Sequence, residues 1–386
     1  MSSSSAFFPN STHLPPRNPW KQLERTHRHL FCNSQPHKHG RQLSLQAVAS
    51  GATLPINVDY LVREFSGHGV NFEGIGDNCV IKMGLENGSM ASLMLPSGLI
   101  TSYKPFMWHG TTLEVLHTTV SEGEDSEAVV IQGGVSTHLK CVNDVGTPWS
   151  PASWFLHDVR GSPEKSIQVE LVSVAPQSMV EVRYLVTLQR DLLASEFTIT
   201  NLKSSSLQLS GSIMNHLKVS TPDATYAVGL QGSNYRSQQP VMSEFSIIPP
   251  DYYESRSPTT NQSWTEKTLE GLFFSTWKKK GDMKDETSGD GSEGEEDDDY
   301  SQMTEKLCRI YTSAPREFTV IDRGRRNSVD IGRSGFDELY ILSPGSNHDW
   351  YGKYAFICIG PTMLKPVFLG PGGVWKGAQY LHNPNL

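Results

Sequence analysis

The chain has 386 residues, a formal net charge of −8 and 37% apolar side chains. No apolar run reaches the ~18 residues a membrane-spanning helix needs, and the acidic balance excludes nucleic-acid binding through a broad basic field. Five cysteines (Cys32, Cys79, Cys141, Cys308 and Cys358) are scattered without a C-x-x-C pair, which speaks against a zinc or iron–sulfur centre and predicts buried, inert thiols instead.

Residues 1–50 stand apart from the rest. They hold eight serines, six Lys or Arg (Arg17, Lys21, Arg25, Arg28, Lys38, Arg41) and one acid, Glu24. Serine-rich, basic, acid-poor sequence without a continuous apolar core is the composition of an organelle transit peptide. The expected cut lies between Gln42 and Gly51, and removal of the leader takes the net charge from −8 to −13, since +6 and −1 are lost. The remaining domain is expected to span 51–386.

From Thr53 onward, short apolar or alternating runs recur between Gly, Pro, Ser and Asn clusters. They include Cys79–Met83, Ser92–Leu95, Ala128–Gln132, Ile167–Val174, Met179–Thr187, Leu192–Thr200 and Ser206–Val219, then Glu317–Asp322, Asp337–Leu342, Phe356–Ile359 and Lys365–Leu369. Alternation is clearest in Val180–Leu188, where Glu181 and Arg183 point outward. No long 3.6-residue period is present. The pattern predicts an all-β chain with few helices, folded as a sandwich or barrel.

One segment interrupts it. Asp282–Asp299 carries ten acids and one lysine, Lys284, and it predicts a disordered acidic loop over 281–303. Such a loop is a solvated spacer or a docking loop for a basic partner. GHGVNFEGIG (Gly67–Gly76) lacks the spacing of a dinucleotide-binding turn, and GPGG (Gly370–Gly373) reads as a tight turn before a last strand.

Three stretches carry a resemblance. The first is RSGFDELYILSPGSNHDWYGKYAFICIGPTMLKPVFLGPGGVWKGAQYL (from Arg333), the second ASLMLPSGLITSYKP (Ala91–Pro105), the third LSGSIMNHLKVS (Leu209–Ser220). Taken together in chain order they resemble the galactose mutarotase-like family, which includes aldose 1-epimerases and hexose-6-phosphate mutarotases. The resemblance implies a β-supersandwich. It also implies a catalytic pair, a glutamate base just before Pro361 and a histidine acid at His216. Position 360 is glycine, so the implied base is missing and His216 is left as a vestige. Glu338 and Asp337 lie on another predicted strand and are the alternative carboxylates. The region matching the family's substrate-gripping turn is Ile131–Val159, where Gln132 stands in place of an arginine, Ser153-Trp154-Phe155 stands near the expected histidine and arginine, and His138 and His157 are out of register.

NHLKVSTPDATYAVGLQGSNYRS (Asn215–Ser237), with the leader and the acidic insertion, resembles plant subunits of the photosynthetic NAD(P)H dehydrogenase-like complex. That resemblance implies a peripheral protein on the stromal side of the chloroplast thylakoid membrane, held among the other subunits of subcomplex B. The complex passes electrons from ferredoxin to plastoquinone in cyclic electron flow around photosystem I. With no flavin, iron–sulfur or quinone motif, this chain is expected to bind no cofactor or metal and to act as a structural subunit. An active plastid mutarotase and a carbohydrate-binding module are the alternatives. Trp149, Trp154, Phe155, Tyr235 and Arg236 are the expected groove or partner anchors. Arg323, Arg325, Arg326 and Arg333 form a basic stretch facing an acidic neighbour or solvent.

Overall fold

The computed structural model describes residues 56–122, 129–144, 146–175, 179–237, 292–346 and 355–384, all within the unit Ala52–Leu386. The expected leader over 1–50 lies outside them. One helix, α1 (Val58–Phe65), opens the described chain. Asn57 caps it, its side chain accepting the amide of Tyr60 at 3.0 Å, and Asp59 in the first turn complements the helix dipole. Only Leu61 of the helix is buried, so α1 rests on β1 as a surface element.

Apart from a single 3-10 turn at Pro222–Ala224, the other regular elements among the described residues are strands. In chain order the first twelve are β1 (Val70–Ile75), β2 (Asn78–Gly84), β3 (Met90–Leu95), β4 (Leu99–Lys104), β5 (Thr118–Glu122), β6 (Val129–Gly133), β7 (Val135–Asn143), β8 (Pro148–Trp149), β9 (Phe155–Ser162), β10 (Ser166–Val174), β11 (Val180–Gln189) and β12 (Leu192–Asn201). The rest are β13 (Leu207–Lys218), β14 (Thr225–Val228), β15 (Asn234–Ser237), β16 (Glu293–Glu295), β17 (Tyr300–Gln302), β18 (Leu307–Tyr311), β19 (Glu317–Asp322), β20 (Asn327–Ser334), β21 (Glu338–Ser343), β22 (Phe356–Leu369) and β23 (Val374–His382).

The strands make two large antiparallel sheets. The larger runs β1-β2-β3-β4-β7-β13-β22-β21-β18-β15-β16, with β8 attached to β7. The smaller runs β17-β14-β19-β20-β23-β12-β11-β10-β9, and β5 and β6 form a separate hairpin. This is the all-β sandwich the alternation predicts. In β11 the odd-even pattern holds through Val186, with Val180, Val182, Tyr184 and Val186 buried and Glu181, Arg183 and Leu185 half-buried, before Thr187 and Leu188 are both buried.

The main core lies between the sheets. Leu139, Ile213, Leu217, Leu339, Ile341, Ile357 and Ile359 project from the larger sheet toward Val182, Tyr184, Phe197 and Ile199 of the smaller one. Tyr184 and Phe197 stack at 4.4 Å between ring centroids. A buried amide pair crosses this layer: Gln379 donates to Asn215 Oδ1 at 2.5 Å, and Asn215 Nδ2 reaches Ile359 O at 2.7 Å. The thiols of Cys79, Cys141, Cys308 and Cys358 are free and buried.

The acidic run departs from its expected disorder. Residues 281–291 lie outside the described chain, but Glu293–Glu295 pairs with β15 and Tyr300–Gln302 pairs with β14. Glu296 is the reason the segment folds. Its carboxylate is buried and accepts from Tyr311 Oη at 2.6 Å and from Arg309 at 2.7 Å, so the desolvated charge is fully partnered. The acids of β16 face solvent at a sheet end, where charge discourages edge-to-edge pairing.

Candidate functional site

The face of the larger sheet turned away from the core carries the residues that matter. Because side chains alternate, His138, Ser212, Met214, His216, Cys358, Gly360, Thr362, Glu338, Tyr340 and Arg236 all belong to this outer face. A satellite apolar cluster of Cys308, Ile310, Tyr340, Leu342, Phe356 and Cys358 fills its centre.

His216 sits on β13 opposite Cys358. Its backbone amide donates to Gly134 O at 2.8 Å, and its Nδ1 lies 3.4 Å from the same oxygen. Gly134 turns there with φ +64°, and a Cβ on it would fall 2.1 Å from Ile100 O, so glycine is required for the chain to pass this close. Two further histidines join it. The ring of His117 stacks on Phe356 at 5.0 Å, and His216 lies 6.0 Å from the same ring. His138 Nε2 is 3.2 Å from Ser136 Oγ. Burial pushes all three imidazoles down to about 4, which leaves them neutral at physiological pH. His117 Nε2 and Ser212 Oγ are buried without a hydrogen-bond partner among the described residues.

Gly360 is the centre of the site. It lies on β22 between β13 and β21, paired with Tyr340. A Cβ built there would stand 1.8 Å from Ile213 O and 3.0 Å from the Met214 Cα. No side chain of any kind fits without moving β13. The position is closed by backbone.

Glu338, the alternative carboxylate that the resemblance offers, lies well away from His216. Its partner on β22 is Thr362, whereas His216 pairs with Cys358. Glu338 is therefore two strands over and four residues along from His216, roughly 16 Å between α-carbons at ordinary strand spacing and rise. One hemiacetal cannot bridge two groups so far apart. Its Oε2 instead accepts the amide of Leu364 at 3.2 Å, and burial raises the carboxyl above its usual range. Asp337 is exposed and paired with Arg316 at 2.9 Å.

The five expected anchors do not form one groove. Trp154 is a core residue, 2% exposed, with its ring 5.5 Å from Tyr184 and 6.2 Å from Phe197. Gly98 passes directly beneath it, where a Cβ would meet Trp154 Cδ1 at 2.5 Å. Trp149 packs partly buried against the same core. Phe155, the residue after Trp154, is 66% exposed on β9, the edge of the smaller sheet. Tyr235 packs on the core beneath the Arg309 guanidinium, 4.1 Å from the ring centroid. Only Arg236 reaches the outer face. It pairs with Glu293 at 3.0 Å and borders a cavity of about 760 Å³.

The basic stretch divides as well. Arg333 is 5% exposed and donates to Pro315 O, Ala314 O and Asp337 O. Arg325 donates to Lys218 O and Glu114 O, both at 2.6 Å. Arg323 and Arg326 are exposed, Arg323 lying over the Tyr226 ring. His157 is on β9, and Gln132 is on β6 opposite Thr119. His117, Arg316 and Lys365 were not legible as site residues, because nothing in EVLHTTV or MLKPVF marks which strand or loop will lie beside them.

No group of His, Cys, Asp or Glu among the described residues has the arrangement to hold a metal ion, and no described helix is long and apolar enough to cross a membrane.

No protein-family model matches the chain. In sequence it is 41% identical over 345 residues to the Arabidopsis thaliana protein NDH-dependent cyclic electron flow 5, a match covering 89% of this chain and 86% of that relative. In structure it is similar to the mutarotase candidate YeaD from Salmonella typhimurium, with a TM-score of 0.55 and 12% identity over 82% of this chain and 94% of the other. It is also similar to HI1317, with a TM-score of 0.54 and 11% identity over 83% and 98%. Identities this low speak for the fold alone, and they agree with the sandwich described above. The sequence match carries further: the chain belongs to the family of the NDH-dependent cyclic electron flow 5 protein, built on a mutarotase-like fold.

Proposed function

We propose that this chain is a non-catalytic structural and assembly subunit of the chloroplast NAD(P)H dehydrogenase-like complex, serving cyclic electron flow around photosystem I. The relationship to a protein named for NDH-dependent cyclic electron flow, across nearly nine-tenths of the chain, supports the process. The geometry at Gly360 supports the absence of mutarotase chemistry. Anomer exchange needs a base and an acid on opposite sides of a hemiacetal, each contributing typically ~10²–10⁴ in rate. Here the base position is filled by the β13 backbone, the nearest acid named by sequence is remote, and the imidazole is buried and neutral. A fold that has lost its chemistry keeps a large rigid surface, which is what an assembly subunit requires.

On this reading the chain associates peripherally with the stromal side of the thylakoid, among the other subunits of subcomplex B, and carries no electrons itself. Phe155 and Arg236 are its exposed candidate anchors. The test is native gel separation of thylakoid complexes from plants with and without the gene. Co-migration of the chain with the large dehydrogenase assembly, and loss of that assembly with the post-illumination fluorescence rise when the gene is deleted, is the expected result. Anomer interconversion by the purified domain, well above buffer and abolished by His216→Ala, would overturn it.

A further inference from the structure

The cavity beside Arg236 has no counterpart in the reading above. It is lined by Arg236, Arg316, Lys365, Asp337, Glu338 and Leu364, among others, and its volume of about 760 Å³ is in the range of sites that take a ligand or a peptide segment. It lies on the outer face, in register with the closed mutarotase position: Arg236, Ile310, Tyr340 and Gly360 follow one another across β15, β18, β21 and β22.

The walls are held in place from behind. The buried guanidinium of Arg333 donates to the carbonyls of Ala314 and Pro315 at 2.9 and 2.6 Å and to that of Asp337 at 3.3 Å, tying the β18–β19 loop to the β20–β21 loop. Arg316 makes a second tie, donating to Phe336 O and to Asp337 Oδ1. A cavity whose loops are fixed before binding loses less entropy when it is filled.

Its charge is unevenly spent. Arg316 and Arg236 are matched by the exposed carboxylates of Asp337 and Glu293, pairs that water screens and that an incoming carboxylate can replace. Lys365 is exposed, and its charge acts on the Glu338 carboxyl without the short contact that Arg316 and Arg236 make to their carboxylates. Glu338, which faces it, is buried and already accepts the Leu364 amide. Beside these cations lie the apolar surfaces of Leu364 and Pro366.

We propose that this cavity docks a peptide segment of a partner protein through one acidic side chain, its carboxylate held between Lys365 and Arg236 and the apolar neighbour of that residue set on Leu364 and Pro366. The chain is acidic overall, with a formal net charge of −8, so a highly acidic partner would be repelled at long range. A single carboxylate on an otherwise neutral, apolar segment is the ligand that suits both the field and the pocket. The proposal does not require membership of the thylakoid complex.

The experiment is titration of the purified full chain, by calorimetry and by NMR, with acetyl-Ala-Leu-Glu-Pro-Ala-amide, with its Glu→Gln counterpart, and with inorganic phosphate. The Glu peptide should saturate, the Gln peptide should bind about tenfold more weakly, and Lys365→Glu should weaken the Glu peptide by a similar factor. Arg236→Gln should weaken it too, with the thermal midpoint of both variants unchanged. Equal binding of the two peptides, binding of phosphate without the peptide, or no saturation by either peptide would overturn the proposal.

Discussion

Gly360 and Ile213 are in closer backbone apposition than any residue with a side chain allows: a Cβ at 360 would lie 1.8 Å from the Ile213 carbonyl oxygen. Position 360 therefore carries no side chain on the present path of β13 and β22, and a single substitution cannot place a carboxylate there without moving a strand. Gly360→Ala is expected to destabilise the fold by about 1–3 kcal/mol through overpacking, and Gly360→Glu by more. Neither substitution should accelerate anomer exchange above buffer. Urea denaturation and polarimetry of the two variants check both halves of the statement.

Two buried imidazoles, His117 and His216, and the half-buried His138 are expected to weaken the fold at acid pH. His117, His138 and His216 are held down at about 4, against 6.5 for the free side chain, in each case chiefly by burial. With folded values below the unfolded value, the unfolded chain binds protons first. Their contribution is intact above pH 6.5 and declines as pH falls toward 4, by up to about 3 kcal/mol for each group. The midpoint of urea unfolding should fall steeply between pH 6.5 and 4.5, and His138→Gln should flatten that slope.

His382 acts at the opposite limit. Burial alone would lower its pKa, but hydrogen bonds and charge from Asp191 and Asp330 outweigh it and raise the value to about 9. Its Nδ1 lies 3.2 Å from Asp330 and its Nε2 3.8 Å from Asp191. A raised folded value means that the stabilisation is complete below pH 6.5 and is lost as pH rises through 9, again by up to about 3 kcal/mol. Comparing unfolding at pH 6.5 and 9.5 should show the loss in the parent chain and little of it in His382→Gln.

Trp154 and Phe155 are neighbours with opposite fates. Trp154→Ala should destabilise the sandwich by about 3–5 kcal/mol, because it empties the space between Tyr184, Phe197 and Gly98. Phe155→Ala removes an exposed ring from an edge strand and should change stability by about 0.5 kcal/mol or less. If Phe155 anchors a partner, the second variant should melt normally and yet fail to co-migrate with the native thylakoid assembly, which a native gel with immunodetection would reveal.

The reading of the acidic run shows where sequence alone misleads. Ten acids in eighteen positions satisfy every compositional criterion for disorder. Yet residues 293–295 and 300–302 are strands, because Glu296 finds Arg309 and Tyr311 across the sheet. Composition counts charges, and it does not see a partner supplied by a strand that comes later in the chain.

The amino-acid order by itself determined the strand rhythm from Cys79 to Leu369, the turns between strands and the glycine before Pro361, since a period of two and a turn residue are local properties that a few neighbours express. What only tertiary structure decided was which residues share a face and a row. It set Trp154 inside and Phe155 outside, put Arg236 in line with Gly360, kept Glu338 far from His216, and buried Arg333 behind a cavity that Lys365 opens onto. Those relations come from the order in which strands lie side by side, and that order is settled by how two whole sheets bury their apolar faces against each other.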